Sequence, residues 1–345
     1  MLPRPRAGRG AWPATLLLLA GAFAPGDAPA AGRAAPLDAF AESLDGTALD
    51  DGDARRGGLR AAEAALRRAD PPPADCGATL GAARFAELHA GVARARVALG
   101  EREAALPAWR AAGACAPRDP QPRIEAATLL MTLGRFDEAR AELARASAFA
   151  RGAEEEIEEL RARLDYATAH WIDAARGAAA VAARFERADA VAPPSSGPRP
   201  AGTPAASAPE DTAVEGDGEL PTARLAARFW RLLERLARRR AGLPAPPPPG
   251  SDPGAPGTPW PAPLWRHLDG RLDERGLVAA IAADEDPRRR REMACEALYY
   301  TAQQAFADGR AAAARQRLAR VVNLKVVYYV EHDLALAELA RLRTP

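Results

Sequence analysis

Aligned on glycine, Gly100 recurs as Gly134, Ala105 as Ala139, Trp109 as Leu143 and Ala112 as Ala146, each displaced by 34 residues. A period of that length is one supersecondary unit, too small to bury its own apolar face, so each copy must stack on a neighbour of its own kind. A glycine lets the chain reverse between the first helix of a unit (helix A) and the second (helix B). Alanines at two helix B positions allow close approach of the neighbouring helices, and the large apolar residue between them fills the groove. Pro117 closes the first unit, stopping one helix and leading into the next. The chain is therefore expected to be all-α and built from stacked helical hairpins.

Period and residue pattern together resemble the tetratricopeptide repeat. A third, looser unit follows, with Ile157, Leu160 and Leu164 as its helix A stripe and Trp171 and Ala174 in place after a one-residue insertion. Its turn glycine is missing, so it reads as a degenerate repeat or a closing helix pair. Glu154, Glu155, Glu156, Glu158 and Glu159 gather at its start, where carboxylates favour the positive helix end. That group is a solvated helix start or an acidic contact patch. In a repeat solenoid helix A lines the inner face, and positions three or four apart form a stripe. The first unit supplies Glu87, Ala90, Arg94 and Val97, and the second Gln121, Ile124, Thr128 and Met131. The third supplies Arg163 and Tyr166. Polar groups with an aromatic or methionine anchor suit an extended peptide or a partner helix. Ile124 and Met131 equally suit an inter-repeat core.

The flanking segments bound the organisation. Arg4, Arg6 and Arg9 precede an apolar run from Trp12 to Ala24 and the small-x-small site Ala28-Pro29-Ala30, so residues 1–30 read as a secretory signal. The run is too short to span a bilayer. Residues 31–57, Gly/Asp/Ala-rich and carrying Asp50-Asp51-Gly52-Asp53, read as a mobile leader without the spacing of a calcium loop. A helical pattern from Leu59 to Asp70 ends at Pro71-Pro72-Pro73. An N-terminal repeat block is expected over 59–190. Residues 192–218 and 243–259 have the composition of flexible, proline-rich linkers. Between them, 219–242 is an amphipathic helix with Leu225, Phe229, Leu232, Leu233 and Leu236 on one face and Arg224, Arg228, Arg231, Arg235 and Arg238–Arg240 elsewhere. It either docks its stripe on the solenoid, the favoured reading, or lies on an anionic membrane.

A C-terminal block is expected over 260–343. Residues 295–321 follow the repeat again, with Tyr299 and Tyr300 in helix A, Gly309 at the turn, and Ala314, Leu318 and Val321 in helix B. Tyr299, Gln303 and Phe306 would continue the inner stripe, Phe306 being equally suited to the core. A last helix runs from about Val326 to Leu342. This block resembles the new-lipoprotein-I group of bacterial envelope tetratricopeptide proteins. The likeness rests on Trp260, Leu268, Gly270, Glu274 and Leu277, on Glu296, Tyr300, Gly309 and Ala314, and on Val330-Glu331-His332 with Ala335, Leu336, Glu338 and Leu339. Proteins of that group sit in the periplasm as adaptors, bringing peptidoglycan hydrolases together with one another or with the protease that degrades them. The resemblance therefore implies a cell-wall scaffold. Leu19-Ala20-Gly21 is followed by Ala22 where a lipoprotein needs its acylated cysteine, so no lipid anchor is expected.

Other chemistries find little support. Loss of residues 1–30 removes three arginines and Asp27, taking the net charge from +1 to −1, which gives no electrostatic case for nucleic acid. Cys76, Cys115 and Cys295 make no CxxC motif or Cys/His cluster for zinc. Export permits a disulfide, and Cys76 and Cys115 could meet across the base of one hairpin or remain thiols. His89, His170, His267 and His332 are scattered, and no HExxH, GxSxG, Walker or Rossmann pattern occurs. Glu331 and His332, adjacent on a helix, point about 100° apart, so His332 is read as structural. The expectation is a periplasmic, non-enzymatic adaptor that needs no cofactor and binds a protein partner, with a homodimer and membrane association left open.

Overall fold

The computed structural model describes residues 35–45, 52–68, 82–191, 222–245, 260–327 and 329–343. Fourteen helices and no strand occur among the described residues. In chain order they are α1 (Pro36–Asp45), α2 (Gly52–Arg68), α3 (Ala82–Ala98), α4 (Arg102–Cys115), α5 (Gln121–Thr132), α6 (Phe136–Ser147) and α7 (Glu154–Ala167). They continue as α8 (Trp171–Val191), α9 (Thr222–Arg240), α10 (Ala262–Leu268), α11 (Glu274–Ala282), α12 (Pro287–Ala307), α13 (Ala311–Asn323) and α14 (Val330–Arg341). None of them is long and apolar enough to cross a membrane. The expected signal segment 1–30, the expected linker 192–218, Cys76 and most of the expected linker 243–259 lie outside the described residues.

Consecutive helices pair as hairpins: α3 with α4, α5 with α6, α7 with α8, and α12 with α13. Three of their turns hold a glycine in the left-handed region, Gly100 at φ 78°, Gly134 at φ 75° and Gly309 at φ 78°. Each turn closes with two backbone bonds of one pattern, as in Gly134 N to Met131 O and Arg135 N to Leu130 O. The third hairpin keeps that pattern without glycine. Ala169 takes φ 65°, and Ala169 N and His170 N donate to Tyr166 O and Asp165 O. The unit that looks degenerate in sequence therefore makes the same turn, at a left-handed cost of about 1–2 kcal/mol for a residue with a Cβ.

Five residues beyond each turn stands an alanine, Ala105, Ala139, Ala174 and Ala314, and all four are buried. A larger side chain there would force the packed helices apart. Trp109, Leu143 and Leu318 fill the space beside them and are buried too.

The two blocks expected from the sequence share one hydrophobic core, joined by α9 and α14. Leu232, Leu233, Leu236 and Ala237 of α9 are buried, and α9 packs on α8 and α12, with Phe229 stacked on Tyr300. The segment 31–57 contains structure that its composition hides. Leu37, Ala41 and Leu44 of α1 are buried against the C-terminal helices, and α2 begins at Gly52. Leu37 N donates to Glu274 Oε1 at 2.9 Å, and Arg320 pairs with Asp38 at 2.9 Å. The leader reading is corrected for 36–45: a short amphipathic helix is stabilised there by partners more than 230 residues away.

Candidate functional site

Helices α3, α5 and α7 are the A helices of successive hairpins, and the stripe they carry meets two different environments. At the α3 end it is open. Glu87, Arg94 and Gln121 are exposed around a hollow of about 150 Å³ that also contains Trp109 and Asp119. Arg94 Nη2 donates to Glu87 Oε1 at 2.6 Å, and its guanidinium lies 6.0 Å from the Trp109 ring centre. Asp119 Oδ1 accepts from Gln121 N at 2.9 Å, fixing the start of α5. Thr128, further along α5, turns its hydroxyl back to Ile124 O at 3.0 Å. Its donor is thus committed to its own helix.

At the α5–α7 end the stripe is covered by α14, which packs against α5, α7, α12 and α13. The cover is close: a Cβ added at Gly134 would stand 2.7 Å from the Ala340 Cβ. Arg102 at the start of α4 lies 3.9 Å from Asp333 and 3.4 Å from His332 Nδ1. His332 is buried.

This arrangement corrects part of the site expected from the sequence. Met131, Tyr166, Tyr299 and Gln303 are interior residues, each at most 1% exposed, and Ile124 is buried with them. They occupy inner-stripe positions, but in this structure the chain's own helix covers that stripe. Arg163 is half-buried, and Phe306 is half-buried beneath Arg240. Of the expected contact residues, Glu87, Arg94 and Gln121 are brought together on an open surface.

Between α12 and α14 lies a second electrostatic feature. Tyr300 OH donates to Glu331 Oε1 at 2.8 Å, and Trp260 Nε1 donates to Glu296. Burial pushes the Glu296 carboxyl well above the usual carboxylate range, and the nearby Glu331 carboxyl pushes it further. Glu331 is raised as well, again chiefly by burial. Burial also raises the Cys295 thiol, which is free. Burial of this kind disfavours the charged forms, and the two carboxyl groups serve as hydrogen-bond acceptors for Trp260 and Tyr300. Cys115 is buried and disulfide-bonded, whereas Cys76, named with it as a pair from the sequence, lies outside the described residues.

The basic face of α9 is turned to internal use. Arg231 forks onto Glu186 at 2.7 and 2.9 Å, Arg239 reaches Asp308 at 3.0 Å, and Arg235 pairs with Asp269. A fork of this kind pulls the Arg231 guanidinium pKa upward. The acidic start of α7 is likewise partly matched, because Arg184 draws in Glu155 at 3.4 Å, Glu158 at 3.6 Å and Glu159.

Sequence reading missed Arg240, Trp171 and Glu338 as a unit. Arg240 belongs to the arginine run of α9, Trp171 to the third repeat and Glu338 to the last helix. Nothing in their spacing joins them. No protein-family model matches the chain, and no curated protein matches it.

Proposed function

We propose that this chain is an exported tetratricopeptide-type adaptor that binds another protein of the cell envelope through the open end of its inner stripe. The observation that supports this most directly is the hollow at Glu87, Arg94, Trp109 and Gln121. It is a concave patch with an apolar floor, an ion pair at its rim, and one face of α5 beginning beside it. The recurring turn at Gly100, Gly134, Ala169 and Gly309 supports the repeat reading, since one backbone pattern serves four hairpins. Peptidoglycan hydrolases or the protease acting on them are the partners implied by the resemblance of the C-terminal block. Of the residues carrying that resemblance, Leu268, Leu277, Glu296, Tyr300, Ala314, Glu331, His332, Ala335 and Glu338 are buried. They support a shared scaffold more than a shared contact surface.

A membrane-surface role for the 221–242 helix has less support, because its apolar stripe and several of its arginines face other helices of the same chain. The adaptor reading is tested by placing a photo-crosslinker at Gln121 in cells and identifying the captured envelope protein. Arg94→Glu is expected to reduce that capture several-fold while leaving the thermal midpoint nearly unchanged, as befits a rim charge. Equal capture by the variant removes Arg94 from the site.

A further inference from the structure

The covered end of the groove holds a construction with the character of a receptor. Arg240, the last residue of α9, sets its guanidinium against two rings, 3.9 Å from the Trp171 ring centre and 4.6 Å from that of Phe306. The two rings hold the guanidinium in place by cation–π attraction. Nη1 donates to Gln303 Oε1 at 2.7 Å, which leaves the Gln303 amide nitrogen directed into the groove. Tyr299, one helical turn before Gln303, adds a hydroxyl. All three donors meet the carboxyl group of Glu338. Arg240 Nη1 reaches Oε2 at 3.0 Å, Tyr299 OH reaches Oε1 at 3.3 Å, and Gln303 Nε2 donates to Oε1.

These three donors come from the groove wall, on α9 and α12, and the acceptor comes from α14, whose own Arg341 stands 3.6 Å from Glu338 Oε2. Glu338 is fully buried. An arginine left in that place without an acid would be strongly unfavourable, so whatever fills the position must bring a carboxylate. The rest of the α14 face defines the shape of the ligand. Glu331, Leu334, Ala335 and Glu338, at successive i, i+3, i+4 and i+7 positions, are all buried, and Ala340 lies against the Gly134 turn. Small residues allow the close approach, and the glutamate supplies the polar key. The tether of α14 is short and carries Lys325 at φ 56°, a left-handed conformation that a side chain disfavours. The helix also begins without a side-chain cap.

We propose that Arg240, Gln303 and Tyr299 form a carboxylate-receiving site for a partner helix, and that Glu338 of α14 occupies it in cis. The partner chemistry is that of α14 itself: an amphipathic helix with alanine on its contact face and a glutamate reaching Arg240. Binding exchanges one helix for the other, so the resting chain is self-covered at this end. The inference rests on reading the inner stripe as the protein-binding face, but it concerns a different part of that stripe from the open hollow.

The test uses the full exported chain and a labelled peptide of residues 329–343, in its native form and with Glu338→Gln. The chain carrying Glu338→Gln is expected to bind the native peptide about tenfold tighter than the wild-type chain does, because apparent affinity follows the fraction of molecules with an open groove. The peptide with glutamine is expected to bind neither chain measurably. Hydrogen exchange of the wild-type chain provides an independent reading: saturating native peptide should speed exchange in α14 and leave α12 protected. Binding of both peptides alike, binding of neither, or α14 exchange unmoved by the peptide overturns the proposal. If the variant chain does not fold, the exchange result on the wild type decides. Loss of envelope capture at Gln121 leaves this outcome untouched, so the two readings fail separately.

Discussion

The α3 end and the α5–α7 end belong to one inner stripe and have opposite fates. Glu87 and Arg94 hold each other in solvent, whereas Met131 and Tyr166, which stand before their turns where Val97 stands in the first unit, are sealed beneath α14. The difference is made by what lies opposite. Repeat periodicity marks a face as inward, but only the rest of the chain determines whether water, a partner or another helix meets it. An inner-stripe residue therefore becomes a contact candidate only when nothing in cis reaches it.

Substitutions at the two ends sharpen that contrast. Glu338→Ala removes the acid from a buried pair and leaves Arg240 uncompensated, so a loss of about 3–5 kcal/mol is expected in urea unfolding. Glu87→Ala breaks an exposed pair, for which about 1 kcal/mol or less is expected. Similar losses at both sites would dissolve the distinction between a sealed and an open end.

The turn glycines permit the same comparison on the backbone. Gly134→Ala adds a Cβ at 2.7 Å from Ala340 and also strains a φ of 75°, so about 2–4 kcal/mol should be lost. Gly100→Ala strains a similar φ of 78° with open space around it, and about 1–2 kcal/mol is expected. Thermal midpoints of the two variants measure the difference directly. An equal drop in both would mean that α14 yields at no cost where it crosses the Gly134 turn.

A gentler probe of the sealed end is pH. Burial holds the native pKa values of Glu296 and Glu331 above the ordinary glutamate value of 4.5, so the folded state binds protons that the unfolded chain releases. Their contribution is fully present below pH 4.5 and is lost as pH rises through the elevated native values. Glu296→Gln removes one of these ionisations, and the fall in urea midpoint from mildly acidic to mildly alkaline pH should be shallower than in the wild type. An unchanged slope would place the pH dependence elsewhere in the chain.

Local features were the most legible in the sequence. The 34-residue spacing located two turns, and the alanines five residues beyond them are the close-packed positions observed. The stripe of α9 correctly identified an apolar face that needed cover. Ala169 shows one limit: glycine reports a left-handed turn reliably, but a packed hairpin can impose the same φ on alanine. α1 shows another. Leu37, Phe40, Ala41 and Leu44 have helical spacing, but acidic and small residues surround them, and the ion pairs that hold the helix are with Arg317 and Arg320. The candidate site was legible only at its open end, because the cover over Met131, Tyr166, Tyr299 and Gln303 comes from a helix distant in sequence.

The seat of α1 also bears on how the molecule is assembled in time. Hairpins such as α5–α6 bring together residues a few turns apart and can form early, since closing a short loop costs little entropy. The partners of α1, Glu274, Arg317 and Arg320, enter the chain only after nearly all the repeats have been made. The first described helix is thus among the last to find its place. Trimming residues 36–45 should therefore be felt as earlier melting of α12 and α13, leaving the neighbouring α3–α4 hairpin largely as it was.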